Sequence, residues 1–276
     1  MMLWPPAAGI KVHAWITVYE VYNDSKWTKG NANPVHRAHP DWVMKGEQGN
    51  DRFLGGRVYL DPGHPQVKTY LAGIVSEIVK NYDVDGVHYD VIRYPGPSGG
   101  YTEESVTRFN QEKGRMGKPK NDERDWCDWR REQITDFVRQ AAARVKAGKH
   151  RNVQISAAVS QSWRDSYENL FQDWKQWLES GIVDFVVTMS FAQDDRVFAA
   201  SIKEAKAISP KVYLGQGGFH MPAERSVAQV ELARKSGAEG IVIYSYDACS
   251  KVRKPDSVSL MDALKAGPFV APAVAP

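Results

Sequence analysis

A chain of 276 residues with 42% hydrophobic and 25% charged residues has the composition of a globular protein and is long enough for one large core. A formal net charge of +3, with both signs spread along the chain, argues against a nucleic-acid partner, and no apolar run reaches the roughly 18 residues of a membrane span. Two distant cysteines, Cys127 and Cys249, form neither a disulfide framework nor a metal-ligand spacing, and the opening Met1 to Pro6 lacks the basic start and apolar stretch of a signal peptide.

The first strand-like run is Val12 to Tyr19, followed by a long loop, Glu20 to Gly63, rich in Gly, Pro, Asn and charge. Pro65 then opens a helix that places Val67, Tyr70, Leu71, Ile74, Val75, Ile78 and Val79 on one face, with Asp61 in the turn before it. Val84 to Asp90 is the second strand, and a second long loop runs from Val91 to about Arg124. Loops of this length hold binding contacts more often than not, so both are expected to touch a ligand. A helix gathers Trp126, Trp129, Ile134, Phe137, Val138 and Ala141, and a further helix gathers Tyr167, Leu170, Phe171, Trp174 and Leu178. The remaining strands are Val153 to Val159, Val183 to Ser190, Val212 to Gln216 and Ile241 to Tyr246, and the Pro/Ala/Val tail 266–276 is expected to be disordered.

Strands alternate with helices, and near-continuous apolar runs such as Ile182 to Val187 predict parallel strands covered by helices. No Gly-rich phosphate fingerprint follows a strand, whereas polar and aromatic residues end one strand after another. The predicted fold class is therefore α/β, a (β/α)8 TIM-barrel type with about six β/α units present, in one domain over residues 1–265.

Asp90 sits at the end of its strand, which is the mouth of a barrel. Period-two alternation turns Asp90, His88 and Gly86 to one side and Val87 and Tyr89 toward the helices. Arg93 can hold the Asp90 carboxylate, or a neighbouring acid can raise its affinity for a proton. Glycosidic cleavage needs a second carboxyl group. Glu20 ends the first strand-like run and Asp247 follows the last; both are candidates beside Asp90, with Asp194 and Asp195 as further acids at a strand end. Trp15, Tyr94, Trp163, Tyr244 and Tyr246 lie at or near strand ends where sugar rings can stack, together with Phe191, and His88, Arg93, Gln161 and Gln216 can bind hydroxyls. Trp15 and Tyr244 fit barrel filling equally well.

Leu60 to Pro65, the strand Asp85 to Asp90 with its Arg93-Tyr94-Pro95 tail, and Val12 to Ile16 resemble the glycosyl hydrolase-like family 10 proteins. The likeness continues through Ile155 to Val159, Val183 to Phe191 and Gly240 to Tyr246. It implies a barrel hydrolase acting on an oligo- or polysaccharide of bacterial cell walls or exported glycans that contains N-acetylhexosamine, outside the cytoplasm, with no cofactor and no metal. Many such proteins carry a second Asp directly after the residue matching Asp90, where this chain has Val91. They also begin with two further strands, so the chain is expected to be a fragment of a longer protein, with the absent strands leaving a gap. Two other readings stay open: a carbohydrate-binding barrel without turnover, and a metal-dependent hydrolase using His13, His88 and Asp90, which lacks the strand-end His-x-His pair of that class.

Overall fold

The computed structural model describes residues 10–23, 34–147, 152–250 and 258–270. The strands are β1 (His13–Thr17), β2 (Glu20–Asn23), β3 (Arg57–Tyr59), β4 (Gly86–Asp90), β5 (Gln154–Val159), β6 (Phe185–Met189), β7 (Val212–Gly217) and β8 (Ile241–Tyr244). The helices are α1 (Pro34–Ala38), α2 (Pro65–Asn81), α3 (Glu103–Lys113), α4 (Arg124–Val145), α5 (Trp163–Asn169), α6 (Trp174–Glu179), α7 (Asp195–Ile208), α8 (Ala223–Lys235), α9 (Tyr246–Cys249) and α10 (Leu260–Ala266). All six predicted strands form, and at least one helix lies between each of them and the next. The fold is thus of the TIM-barrel type with six β/α units in place of the eight of a closed barrel.

The chain divides into two compact units, one of residues 1–158 and 163–184, the other of 159–162 and 185–276. In the first, β4 pairs in parallel with β1 on one side and β5 on the other. Helices α2 and α4 cover this sheet because each has one continuous apolar face. Val67, Leu71, Val75 and Val79 of α2 are buried, each a gross gain of about 1.5–3 kcal/mol. Trp126, Trp129, Ile134, Phe137, Val138 and Ala141 of α4 are buried as the periodicity predicted. Lys68 of α2 is buried with them, its ammonium 2.7 Å from the Asp136 carboxylate and 3.0 Å from Gln133 Oε1 of α4. Pro65 opens α2, and the His64 ring accepts from the Gln66 amide to cap it.

Three expectations change here. The strand beginning at Val12 ends at Thr17; after it the chain leaves the parallel sheet and pairs β2 with β3 as an antiparallel ribbon, so Glu20 opens a new strand. The second long loop contains α3, whose polar surface hides its period but whose ends are marked by Thr102, accepting from the Ser105 amide, and by Gly114 in the left-handed region at φ 61°. Its Phe109 joins Tyr101, Trp126 and Trp129 in an aromatic cluster. Finally, the helix expected across Tyr167 to Leu178 is two helices, α5 and α6, with Phe171 between them at φ 55°. Cys127 on α4 hydrogen-bonds the Asn121 carbonyl at 3.4 Å and forms no disulfide.

In the second unit β7 pairs in parallel with β6 and β8, and α7 and α8 pack on it. Val230, Cys249, Leu260 and Leu264 form a buried cluster there. After α10 the Phe269 amide donates to the Leu264 carbonyl, and the Arg234 guanidinium lies 4.6 Å from the Phe269 ring. Of the tail 266–276, residues 271–276 lie outside the described residues.

Candidate active site

Strand β4 alternates as its sequence predicts. Val87 and Tyr89 are fully buried, with the Tyr89 ring 6.0 Å from Phe137 of α4, while His88 and Asp90 are only half-buried on the other face. Gly86 is glycine for space: a Cβ would stand 2.4 Å from His13 Cε1, because the His13 ring of β1 reaches across Gly86 toward Gln154 of β5. Burial holds the His13 imidazole below its usual pKa, against the opposing charge of Asp85.

His88 pairs in register with Ser156, and its Nδ1 lies 2.9 Å from the Ser156 hydroxyl. That hydroxyl is 3.3 Å from the Val87 carbonyl, which has only lone pairs to offer, so the hydroxyl donates there and accepts from His88 Nδ1–H. The Nε2 lone pair is left for other work. Burial lowers the His88 pKa to about 4, although Asp90 pulls it upward, so the ring is neutral at neutral pH.

Asp90 is gripped at both oxygens. The Trp15 indole N–H donates to Oδ2 at 3.2 Å and the Val91 amide to Oδ1 at 2.8 Å. Val91, in the position where the family resemblance implies a second acid, has φ 50°, a left-handed conformation unfavourable for a β-branched residue. Arg93 does not take the predicted part of counter-ion: among the described residues it forms no ion pair with Asp90, and its charge acts on Tyr59 instead. Trp15, on the edge strand β1, is 57% exposed.

The other first-unit candidates are dispersed. Glu20, on the ribbon, is ion-paired with Arg57 at 2.9 Å. Tyr94 is wholly buried, its ring edge-on to Phe171 at 5.4 Å, which leaves no face open for a sugar. Trp163 opens α5, and its ring lies tilted against Tyr167 at 5.2 Å. Asp61 is the turn residue expected: it accepts from the Gly63 amide at 2.9 Å and the Thr102 hydroxyl at 2.6 Å. Arg130 of α4, which sequence reasoning passed over, is fully buried and holds the loop after Asp90, donating to the carbonyls of Pro97, Gly99 and Asn121 while its guanidinium lies 3.9 Å from the Phe171 ring.

In the second unit Gln216 is buried on β7, 3.3 Å from Met221 Sδ. Tyr244 ends β8 and Tyr246 opens α9, both exposed. Asp247, also exposed, accepts from the Ser245 hydroxyl. The Tyr244 ring is grouped with Phe191, and with Phe219, which sequence reasoning missed. The Gly217-Gly218 pair just before Phe219 was the available sign of a tight strand end. Among the described residues no three His, Cys, Asp or Glu side chains converge as metal ligands, and no helix is long and apolar enough to cross a membrane.

Six β/α units, with the Asp90 carboxylate held at the end of β4, make this a TIM-barrel-type protein. The chain belongs to the glycosyl hydrolase-like 10 family, whose profile matches residues 7–216. It is 26% identical over 194 residues to the glycosyl hydrolase YngK of Bacillus subtilis, covering 64% of this chain and 35% of that protein. It is likewise 26% identical over 201 residues to the glycosyl hydrolase DigH of Escherichia coli K12, covering 64% of this chain and 42% of that one. The chain thus spans less than half the length of these relatives. The glycoside hydrolase domain of PgaB (BpsB) from Bordetella bronchiseptica shares the fold, with a TM-score of 0.68 at 16% identity over 94% of this chain and 75% of that one.

Proposed function

We propose that this protein hydrolyses O-glycosidic bonds in a bacterial cell-wall or exported polysaccharide containing N-acetylhexosamine, with Asp90 as its central catalytic carboxylate. The observation that carries this is the Asp90 carboxylate, aimed from the end of β4 by Trp15 and the Val91 amide, in a chain of a glycosyl hydrolase-like family. Neutral His88 beside it has an Nε2 lone pair for a substrate hydroxyl or for water. Hydrolysis requires a second carboxyl group to share acid, base or nucleophilic duty. Glu20 and Asp247 are the candidates, and Glu20→Gln and Asp247→Asn, each tested for rescue by azide, tell them apart. The family relationship supports action outside the cytoplasm.

Asp90→Asn keeps the shape of the side chain and removes its acid–base and nucleophilic capacity. Release of reducing ends from N-acetylglucosamine oligosaccharides is expected to fall by about 100-fold or more, with the melting temperature unchanged. Hydrolysis surviving within about tenfold would remove Asp90 from the mechanism. The strained Val91, in a place where an acid would assist Asp90, favours one second reading, a glycan-binding barrel without turnover. Calorimetric binding of the same oligosaccharides by the wild-type chain with no reducing-end release identifies that case.

A further inference from the structure

Among the described residues two that are not glycine have a left-handed backbone, Val91 at φ 50° and Phe171 at φ 55°. Their neighbours are stitched together. The Tyr94 amide donates to the Leu170 carbonyl at 3.1 Å, and the Gln172 side chain donates to the Ile92 carbonyl at 3.2 Å. Between these two bonds the Phe171 ring lies edge-on to Tyr94. Val91 directly follows Asp90, and its amide holds Asp90 Oδ1 at 2.8 Å. A β-branched residue in this conformation persists only where its surroundings fix it.

Gln172 lies in the turn between α5 and α6 and is fully buried. Its Nε2 donates twice, to the Ile92 carbonyl at 3.2 Å and to the Ala158 carbonyl at 3.1 Å. Carbonyl oxygens only accept, so the NH2 end of the amide must face them, and both of its protons are used. The oxygen end is turned to Ser166, whose Oγ lies 3.5 Å from Oε1 and accepts from the Trp174 indole at 3.1 Å. The Gln172 backbone amide donates to the Ser166 carbonyl at 2.9 Å. Ala158 stands one residue past Ala157, the register partner of Tyr89, so it lies beside Asp90 at the ends of neighbouring strands. Gln172 thus ties the chain just past Asp90 to the end of β5.

We infer that Gln172 is a positioning residue for Asp90: by fixing the Ile92 carbonyl it keeps Val91 left-handed, and so keeps the Val91 amide on the Asp90 carboxylate. The Asp90 carbonyl is fixed from the other side, by the Val18 amide at 2.8 Å. Only the dihedrals of Val91 and Ile92 lie between the two held carbonyls, so Val91 cannot relax to negative φ without moving one of them. Releasing the Ile92 carbonyl frees that rotation and turns the Val91 N–H away from Oδ1. Glycine adopts positive φ without strain, so a glycine at 91 has no need of the clamp. The inference rests on the reading of Asp90 as the catalytic carboxylate and adds to it the group that holds its aim from outside the strand.

The test is a double-variant cycle on the full chain. Gln172→Met keeps the length of the side chain and removes both donors, and Val91→Gly removes the strain. Reducing-end release from penta-N-acetylchitopentaose gives kcat and KM. The indole N–H resonance of Trp15, seen with isotope-labelled tryptophan and assigned by its loss in Trp15→Phe, reads the Asp90 carboxylate whether or not the chain turns over. Gln172→Met is expected to lower kcat about tenfold with KM within about twofold, and to move the indole resonance toward its place in Asp90→Asn. In the Val91→Gly background the same change is expected to lower kcat about threefold or less and to leave the resonance where it was. A Gln172→Met variant with an unmoved resonance and only a lower melting temperature would make Gln172 a packing residue. Equal losses in the two backgrounds would also overturn the inference. If wild type releases no reducing ends, the hydrolase reading fails, while the indole resonance still decides whether Gln172 aims Asp90. Should Gln172→Met fail to fold, the double variant decides: folding restored by glycine supports the clamp, and failure of both overturns it.

Discussion

Trp15 and Asp90 are 75 residues apart, and their hydrogen bond is a product of strand register: Trp15 pairs with His88, two residues short of the Thr17–Asp90 pair and on the same face. The alternation of β4 was legible in its own sequence. This contact was not, because it depends on which strand lies beside β4 and in what phase. Trp15→Phe keeps an aromatic face and removes the indole donor, so the expected result is a loss of about tenfold in kcat with little change in KM, and a melting temperature close to wild type because the side chain is largely in water. An unchanged kcat would mean that Asp90 is positioned without the indole. Ser156 was recoverable in the same way once β4 and β5 were set in register.

His88 gives the pH dependence. In the unfolded chain the imidazole binds a proton as pH falls through about 6.5, and in the folded protein only near 4. Between these values the unfolded state holds more protons, so stability declines as pH drops from about 6.5 toward 4, by at most about 3 kcal/mol, and His88 adds no slope above that window. His13, also lowered, adds in the same direction. Denaturant melts at pH 7, 5.5 and 4.5 should show His88→Gln losing less stability on acidification than wild type; parallel losses would contradict the assignment.

At the scale of elements, long amphipathic helices announced themselves and short or polar ones did not. The face of α2 repeats over 17 residues, whereas β2 and β3 have four and three residues and carry no usable period. Helix α3 was readable only from its caps. The loop after Asp90 was opaque for a different reason: its conformation is imposed by Arg130, 31 to 33 residues farther on, which has no carboxylate partner among the described residues and is satisfied by carbonyls and ring faces. That is also why Tyr94, a natural sugar platform by sequence, is buried. Arg130→Met strands three carbonyl oxygens at about 1 kcal/mol each, so chemical denaturation should show a loss of about 3 kcal/mol. Arg130→Lys should recover less than half, since an ammonium cannot serve three carbonyls and stack on a ring. Full recovery by lysine would show that charge alone suffices.

For the molecule as a whole, composition and strand–helix alternation were enough for the barrel type, because six parallel strands joined through helices leave few other ways to cover both faces. Which residues would stand open at the sheet edge was not legible. In the second unit β8 has β7 on one side and no strand pairs with its other side among the described residues, and Val242 there is 41% exposed. Such an edge invites pairing between chains, and a lysine blocks it. Val242→Lys is expected to slow turbidity growth in concentrated samples while shifting the melting temperature by less than about 2 °C; equal turbidity would show that aggregation starts elsewhere.

The two cysteines fall one in each unit, and they differ in access. Cys127 is half-buried near the Asn121 carbonyl, while Cys249 is enclosed with Val230, Leu260 and Leu264. A thiol reagent therefore reads two clocks on the unaltered chain. Modification of Cys249 waits on local opening of its cluster, so its rate relative to an exposed thiol gives the free energy of that opening, while Cys127 reacts on its own schedule with the state of the α4 region. The breathing of the two halves can be timed separately without changing a single residue.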